Sequence, residues 1–440
     1  MLWYHGRMVT LRMVQEARGR LGTLVRHTPL FASDTFTHLA GSQVFLKAEN
    51  LQRTGSFKLR GALNKLSQLT PEQRRRGVIA ASAGNHAQGV ALAAAHLGVS
   101  ATVVMPVNAS LAKLEATVGY GATVIQHGAS FDDARAYAES FAAEQGLTVI
   151  PTFDDEAIIA GQGTVGLELF EDLPEAELVI VPVGGGGLLA GIATALRALQ
   201  PTITIIGVQS SAAPAMAQSY RSGRRMTVSP KPTIADGIAI GQPGRLPLAV
   251  IRRLVDDVVT VDDEDISHAI MLLLERSKLL VEAAGAASVA ALLAGSVKTN
   301  GKTTVAMLSG GNLDVMLLAR IVEHGLTSAG RYFAMRVTVP DKPGQLAQIL
   351  TLLASQKVNV LDVQHHRSGF PIPMGDVEID LTLEVQNRKH GEDVRALLRA
   401  RGYQEGVVST RRQQHAKPEG AVLPQVMVYN FTHTENGSRS

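Results

Sequence analysis

The chain reads as an α/β protein of parallel or mixed sheets with helices on both faces, followed by a small α+β unit. Apolar, β-branched runs alternate with amphipathic helical stretches through the first three quarters of the 440 residues, the grammar of parallel sheets. Three of those runs end in glycine-bearing polar turns that open directly into helices. After Glu323-His324-Gly325 the pattern becomes strand, helix, strand, strand, helix, strand, an arrangement typical of small α+β modules.

Residues 50–61, N-L-Q-R-T-G-S-F-K-L-R-G, set Lys58 among Phe57, Leu59 and Ala62. Burial there would lower the lysine pKa and leave a nucleophilic amine, suited to an aldehyde cofactor. On these letters alone, a solvated lysine on a surface turn fits equally well. Next, Val78 to Ala81 reads as a strand entering Ser82-Ala83-Gly84-Asn85-His86 and then a helix from Ala87 to Leu97. Ala101 to Met105, Thr123 to Ile125 and Leu147 to Ile150 follow as strands. Leu178 to Val183 runs into Gly184-Gly185-Gly186-Gly187 and a helix carrying Leu188, Leu189, Ile192, Ala193 and Leu196. Glycines let backbone N–H groups converge, and the helix N-terminus adds a favourable dipole, so this turn suits phosphate. It lacks the Lys-Ser/Thr ending of a nucleotide loop and the spaced glycines of a dinucleotide fingerprint, which argues against ATP and NAD. Ile203 to Val208 is another strand, and Thr304 to Leu308 leads into Ser309-Gly310-Gly311-Asn312 and a helix from Leu313. Open α/β sheets gather ligand groups at the carboxyl ends of their strands, so the three turns are expected to face one crevice. Within them His86 reads as a core or capping histidine before a catalytic one. Asn85 and Ser309 are stronger site candidates, though either also fits a helix cap.

Six segments carry a resemblance: S-F-K-L-R-G-A, S-A-G-N-H-A-Q-G-V, A-G-Q-G-T-V-G-L-E, G-G-G-G-L, T-I-A-D-G-I and S-G-G-N stand in the order found in threonine dehydratases. These are pyridoxal-phosphate enzymes similar to the tryptophan synthase β subunit, and the resemblance runs from Thr10 to about Val322. It implies the two-domain fold of that group, with a catalytic region over 1–322, a smaller subdomain of about 44–150 inserted in it, and the active site between the two. It implies pyridoxal phosphate, the electron sink that breaking a Cα–H bond requires. Lys58 would carry the cofactor on its amine and then remove the Cα proton, and Phe57 would pack near the ring. The amides of Gly184, Gly185, Gly186, Gly187 and Leu188 would bind phosphate, and Asn85 the ring hydroxyl. Ser309 would face the pyridine nitrogen as a neutral partner, a weaker sink that favours prompt loss of a β-hydroxyl. Ser82, Ala83, Gly84, Asn85 and His86 would receive the substrate carboxylate at a helix N-terminus. The implied reaction is deamination of L-threonine to 2-oxobutanoate and ammonia, the first step of isoleucine biosynthesis, with L-serine to pyruvate as a side reaction. A serine or 3-hydroxyaspartate dehydratase, a serine racemase and, from a different class, a non-catalytic amino-acid sensor are the alternatives.

Departures from related sequences narrow this. Serine racemases carry a serine where this chain has Ala83, so racemisation is disfavoured. Gln209-Ser210-Ser211-Ala212-Ala213 offers no carboxylate where some relatives hold a divalent metal, so no metal is expected there. Pro151-Thr152-Phe153-Asp154-Asp155 replaces a segment that usually begins with histidine. It lies near the substrate side chain in the family, so Thr152 leaves the preference between threonine and serine open.

Composition sets outer bounds. With 440 residues and 45% hydrophobic content, two or three domains and large cores are expected. No apolar window of about 18 residues suggests a membrane span, and the first residues show no signal-peptide core. The absence of cysteine excludes disulfides, thiolate metal sites and a thiol nucleophile, and suits a cytoplasmic protein. A net charge of +3 with dispersed basic residues, Arg74-Arg75-Arg76 apart, gives no nucleic-acid stripe.

In the C-terminal part, Phe333 to Val339, Val358 to Val363, Val377 to Val385 and Gly406 to Ser409 read as strands, with helices over Gln345 to Ala354 and Glu392 to Leu398. D-K-P-G-Q-L followed by V-N-V at 358–360 resembles an ACT domain, placed at 333–410 after a linker of 323–332 and before a peripheral tail, 411–440. The resemblance implies an amino-acid effector near Gly344 and Asn359, with a second chain completing the site in a dimer or tetramer. Isoleucine would suit feedback control, but the sequence does not identify the ligand, and a purely structural oligomerisation module is the alternative.

Overall fold

The computed structural model describes residues 8–367, 372, 374–406 and 427–429. Its strands, in chain order, are β1 (Leu30–Ala32), β2 (Val44–Ala48), β3 (Val78–Ala81), β4 (Ala101–Met105), β5 (Thr123–Gln126), β6 (Thr148–Val149), β7 (Leu178–Pro182) and β8 (Thr204–Ser210). They continue as β9 (Asp257–Val261), β10 (Thr304–Leu308), β11 (Tyr332–Pro340), β12 (Asn359–His366), β13 (Asp376–Glu384), β14 (Gln404–Gly406) and β15 (Met427–Tyr429). Two compact units result, with the division between Asp314 and Val315; β15 belongs with the first.

The first unit holds two sheets. One runs β1-β2-β10-β7-β8-β9 and is parallel except for β1. The other runs β15-β5-β4-β3-β6 and is parallel except for β15. Every residue of β7 and β10 is buried. This explains why they read as continuous apolar runs rather than alternating ones: helices cover both faces of the sheet. The smaller subdomain was expected to start near residue 44, and the structure corrects this. Residues 44–48 pair with β1 and β10 inside the six-stranded sheet, leaving the smaller sheet to begin at Val78.

Glycine contacts set the helices around the site at close range. A Cβ on Gly163 would stand 2.8 Å from the Gly191 carbonyl, so helices Glu156–Asp172 and Gly187–Leu199 cross nearly backbone to backbone. A Cβ on Gly161 would lie 2.5 Å from the Arg60 carbonyl, which brings helix Lys58–Ser67 equally close to helix Glu156–Asp172. Any larger residue would force these backbones apart. The helix that begins at Lys58 and the helix that begins at the tetraglycine turn are thus referenced to one rigid element.

Charge also locks that element. Arg60 is 1% exposed; its guanidinium reaches Glu49 at 2.7 and 2.8 Å and Glu168 at 2.6 and 3.0 Å. Lys47, wholly buried, binds Glu168 at 2.9 Å and Asp172 at 3.0 Å.

The second unit opens with helix Val315–Ser328 and continues as an antiparallel sheet of order β12-β13-β11-β14. Strict alternation along β13 buries Val377, Ile379, Leu381 and Leu383, which join Ile349, Leu353, Val394 and Leu398 of helices Gln345–Ser355 and Arg388–Ala400 in one core. The linker expected at 323–332 is largely helical, because the helix expected from Leu313 begins at Val315 and continues to Ser328. Of the expected last strand, Gly406 closes β14, and 407–409 lie outside the described residues. So does most of the 411–440 tail, whose described part is β15 against β5.

Candidate active site

The three polar turns converge on one cavity of ≈ 340 Å³ in the first unit. All the residues proposed from the sequence for catalysis, cofactor and substrate line it: Phe57 and Lys58, Ser82 through His86, Gly184 through Leu188, and Ser309. Their placement follows from the strands that precede them. β3 ends at Ala81, and the Ser82 amide is fixed by the Val104 carbonyl at 3.0 Å. β10 delivers Ser309, whose carbonyl accepts from the Phe57 amide at 3.3 Å and so ties the third turn to the start of the Lys58 helix.

The tetraglycine turn leaves β7 and enters helix Gly187–Leu199 with Gly186 at φ +101, a conformation that favours glycine. A Cβ on Gly186 would stand 2.6 Å from Met216, and one on Gly185 would collide with the Phe153 ring. Only backbone fits at this edge of the cavity. A run of exposed N–H donors at a helix N-terminus binds phosphate, so the residues present suit the phosphate of an aldehyde cofactor.

Lys58 is the first residue of its helix, with the Phe57 ring centroid 5.0 Å from Nζ. Burial lowers its pKa to about 8, opposed by the nearby Glu282 carboxylate. At neutral pH an appreciable fraction is therefore free amine, which suits both a nucleophile and a base. His86 is buried and its Nε2 meets the Ile150 carbonyl at 3.1 Å. Burial, then the charge of Lys58, depresses it to about 3, so it stays neutral while it lines the cavity.

Three cavity residues carry chemistry that the sequence reading left unassigned. Glu282 precedes helix Ala283–Leu293 and accepts from Asn85 Nδ2 at 2.6 Å, while Asn85 Oδ1 accepts from Asn312 Nδ2 at 2.7 Å. Asn85 is thus held by both neighbours. Burial, reinforced by Asp236, raises Glu282 to about 7. Lys113 and Asp236 form an ion pair of 2.9 Å at the same cavity. Asp236 stood in the motif T-I-A-D-G-I. Glu282 was signalled only as a lone acid inside V-E-A-A-G-A-A, and Lys113 by nothing local.

Glu282 and Lys58 make opposite demands on stability. Between about 4.5 and 7 the folded protein keeps the Glu282 proton that the unfolded chain releases, so stability falls as pH rises. Between about 8 and 10.5 the unfolded chain holds the Lys58 proton that the folded protein has lost, so stability rises. Urea midpoints of the cofactor-free protein should show the acid-side fall in wild type and lose it in Glu282→Gln. Parallel profiles over that window would refute the role given to Glu282.

In the second unit, Gly344 is the left-handed N-cap of helix Gln345–Ser355, and Asn359 Nδ2 donates to Glu384 at 3.2 Å. Asn359 pairs with Glu384, which pairs with Tyr332, whereas Gly344 follows Pro340 at the far end of β11. The two residues expected together at an effector site therefore sit at opposite ends of the sheet. Asn359 does not complete a site at Gly344 within one chain, because the intervening helix returns the chain to the starting edge.

Among the described residues no group of three or more His, Cys, Asp or Glu is placed to hold a metal, and no helix is long and apolar enough to cross a membrane.

Comparison with known proteins fits this geometry. The family model described as "Pyridoxal-phosphate dependent enzyme" matches residues 21–310, and the ACT domain model matches 334–402. The chain belongs to the pyridoxal-phosphate dependent enzymes, with a C-terminal ACT domain, and its cofactor is pyridoxal phosphate. Among curated relatives it is similar to an L-threonine ammonia-lyase of Thermotoga maritima, 45% identical over 91% of this chain and 100% of that one. Among solved structures it matches the processed form of threonine deaminase isoform 2 from Solanum lycopersicum, with TM-score 0.68 and 36% identity over 71% of this chain and 87% of that one. Maize serine racemase matches with TM-score 0.69 and 36% identity, over 73% and 99%.

Proposed function

We propose that the chain deaminates L-threonine to 2-oxobutanoate and ammonia. The observation that carries this is the juxtaposition in one cavity of a half-buried amine with lowered pKa, a phosphate cradle made of backbone alone, and a neutral hydroxyl, Ser309. The similarity to L-threonine ammonia-lyase along nearly the whole chain supplies the substrate.

Pyridoxal phosphate supplies an electron sink conjugated to the substrate amine. Lys58 would hold the cofactor through its amine and, as a free amine, would take the proton from the substrate Cα. Its pKa near 8 suits it to both tasks. The amides of Gly184 to Leu188 hold the phosphate. Asn85, oriented by Glu282 and Asn312, would hydrogen-bond the ring oxygen, and Phe57 would pack beside the ring. Ser309 would offer the ring nitrogen a hydroxyl rather than a carboxylate, which would favour prompt departure of the β-hydroxyl. The loop Ser82 to His86 receives the carboxylate. The hydroxyl leaves with a proton as water, and hydrolysis of the released product returns one water, giving 2-oxo acid and ammonia. Ala83 presents a methyl group where racemisation would need a proton donor on the other face.

L-Serine, which lacks only the methyl group, is the side substrate. The ACT domain serves an amino-acid effector, with isoleucine the candidate that would make this the controlled first step of isoleucine biosynthesis. Gly344, with Asn359 of a second copy, is the place proposed for it in a cytoplasmic homo-oligomer. Borohydride reduction of the loaded enzyme followed by peptide mapping tests the cofactor assignment: the pyridoxyl mark should fall on Lys58, and a mark on another lysine would overturn it.

A further inference from the structure

The cavity has an electrostatic imbalance that the reaction above does not use. Among the residues lining it, the basic side chains are Lys58, Lys113 and His86, and the acidic ones are Asp236 and Glu282. His86 is neutral, with its Nε2 engaged by the Ile150 carbonyl. Lys58 is committed to the cofactor. A cavity that takes a phosphate and an amino-acid carboxylate beside two acids thus has one cation not otherwise engaged in chemistry, Lys113. The loop that meets the carboxylate, Ser82 to His86, brings only neutral groups.

Lys113 is well placed for that charge. It sits on helix Leu111–Gly119, beside the five-stranded sheet, and its side chain is 25% exposed. Its partner Asp236, on the short turn Asp236–Ile238, is 72% exposed and has no other ion pair among the described residues. Lys113 also feels the field of Glu282, the acid in contact with Asn85 of the carboxylate loop. A mostly exposed carboxylate on a turn holds a lysine weakly, since solvent screens it and the long side chain loses entropy on being fixed. A substrate carboxylate inside the cavity competes for the same ammonium under less screening.

We propose that Lys113 is a specificity-determining residue: it exchanges Asp236 for the carboxylate of the incoming amino acid, and Asp236 keeps the ammonium aimed at the cavity until that exchange. This rests on the proposed amino-acid substrate. The exchange explains a preference for free amino acids over neutral amides or amino alcohols, and it gives Asp236 a role opposed to that of Lys113 rather than parallel with it.

The test compares Lys113→Met and Asp236→Asn in the loaded full-length enzyme, with L-threonine and L-threoninamide as ligands. Cofactor absorbance and thermal midpoint verify that each variant is folded and loaded. In Lys113→Met, KM for L-threonine should rise about tenfold or more, the loss expected for one charge-assisted hydrogen bond, and the preference for acid over amide should largely vanish. In Asp236→Asn, with the competitor neutralised, KM for L-threonine should fall. If both variants raise KM alike, the pair is a structural strut and the proposal is wrong. An unchanged acid-to-amide preference in Lys113→Met overturns it as well. Should wild type turn over no hydroxyamino acid, the proposed function fails instead, and that is read from the wild-type control alone.

Discussion

Lys58→Ala should abolish turnover, with 2-oxobutanoate formation reduced by at least about a thousandfold, because one substitution removes both the attachment of the cofactor and the base for the Cα proton. The variant should nevertheless fold. At neutral pH the folded state keeps the Lys58 amine in surroundings that push its pKa down to about 8, so the charged form is disfavoured there, and replacing it relieves a desolvation cost. An unchanged or raised thermal midpoint together with lost activity is thus the expected pair of results. Loss of both would mean that Lys58 is a structural residue, and retained turnover would place the chemistry elsewhere.

Arg60→Met should destabilise the protein by about 3–5 kcal/mol, the usual range when one member of a buried ion network is removed. Arg60 stands two residues after Lys58 and contributes to two carboxylates at once. Without it, Glu168 keeps Lys47, whereas Glu49, fully buried, keeps among the described residues only the Thr28 hydroxyl at 2.6 Å. The uncompensated charge is therefore chiefly that of Glu49. It follows that Glu49→Gln added to Arg60→Met should recover part of the loss, although Glu49→Gln alone should itself destabilise. Urea unfolding of the cofactor-free variants measures this. A loss below about 1 kcal/mol in Arg60→Met would mean that the network is no better than a surface pair.

Much of the first unit was legible because local chemistry dictates it. Strands β4 and β10 appear where continuous apolar, β-branched runs require double-sided burial, and the three turns appear where glycine and small polar residues end those runs. Lys58 stood out by its apolar neighbours. Pairing partners were less legible. β2 joins β10, a strand 256 or more residues away, and nothing within residues 44–48 distinguishes that sheet from the other. β15 pairs across a similar distance with an edge strand. The Asn85–Glu282 contact and the Lys113–Asp236 pair span 197 and 123 residues. Such contacts depend on how two sheets approach one cavity, which no local pattern encodes. Gly344 and Asn359 likewise end up at opposite ends of the antiparallel sheet, because helix Gln345–Ser355 runs between them, a relation that neither residue's local sequence encodes.

Steady-state formation of 2-oxo acid by the cofactor-loaded protein, with L-threonine and L-serine side by side and each with and without isoleucine, tests the proposed activity most directly. The expected result is a higher kcat/KM for L-threonine, ammonia released in equal amount to 2-oxobutanoate, and suppression by isoleucine. Absence of 2-oxo acid from L-threonine, with the cofactor bound at Lys58, would contradict it.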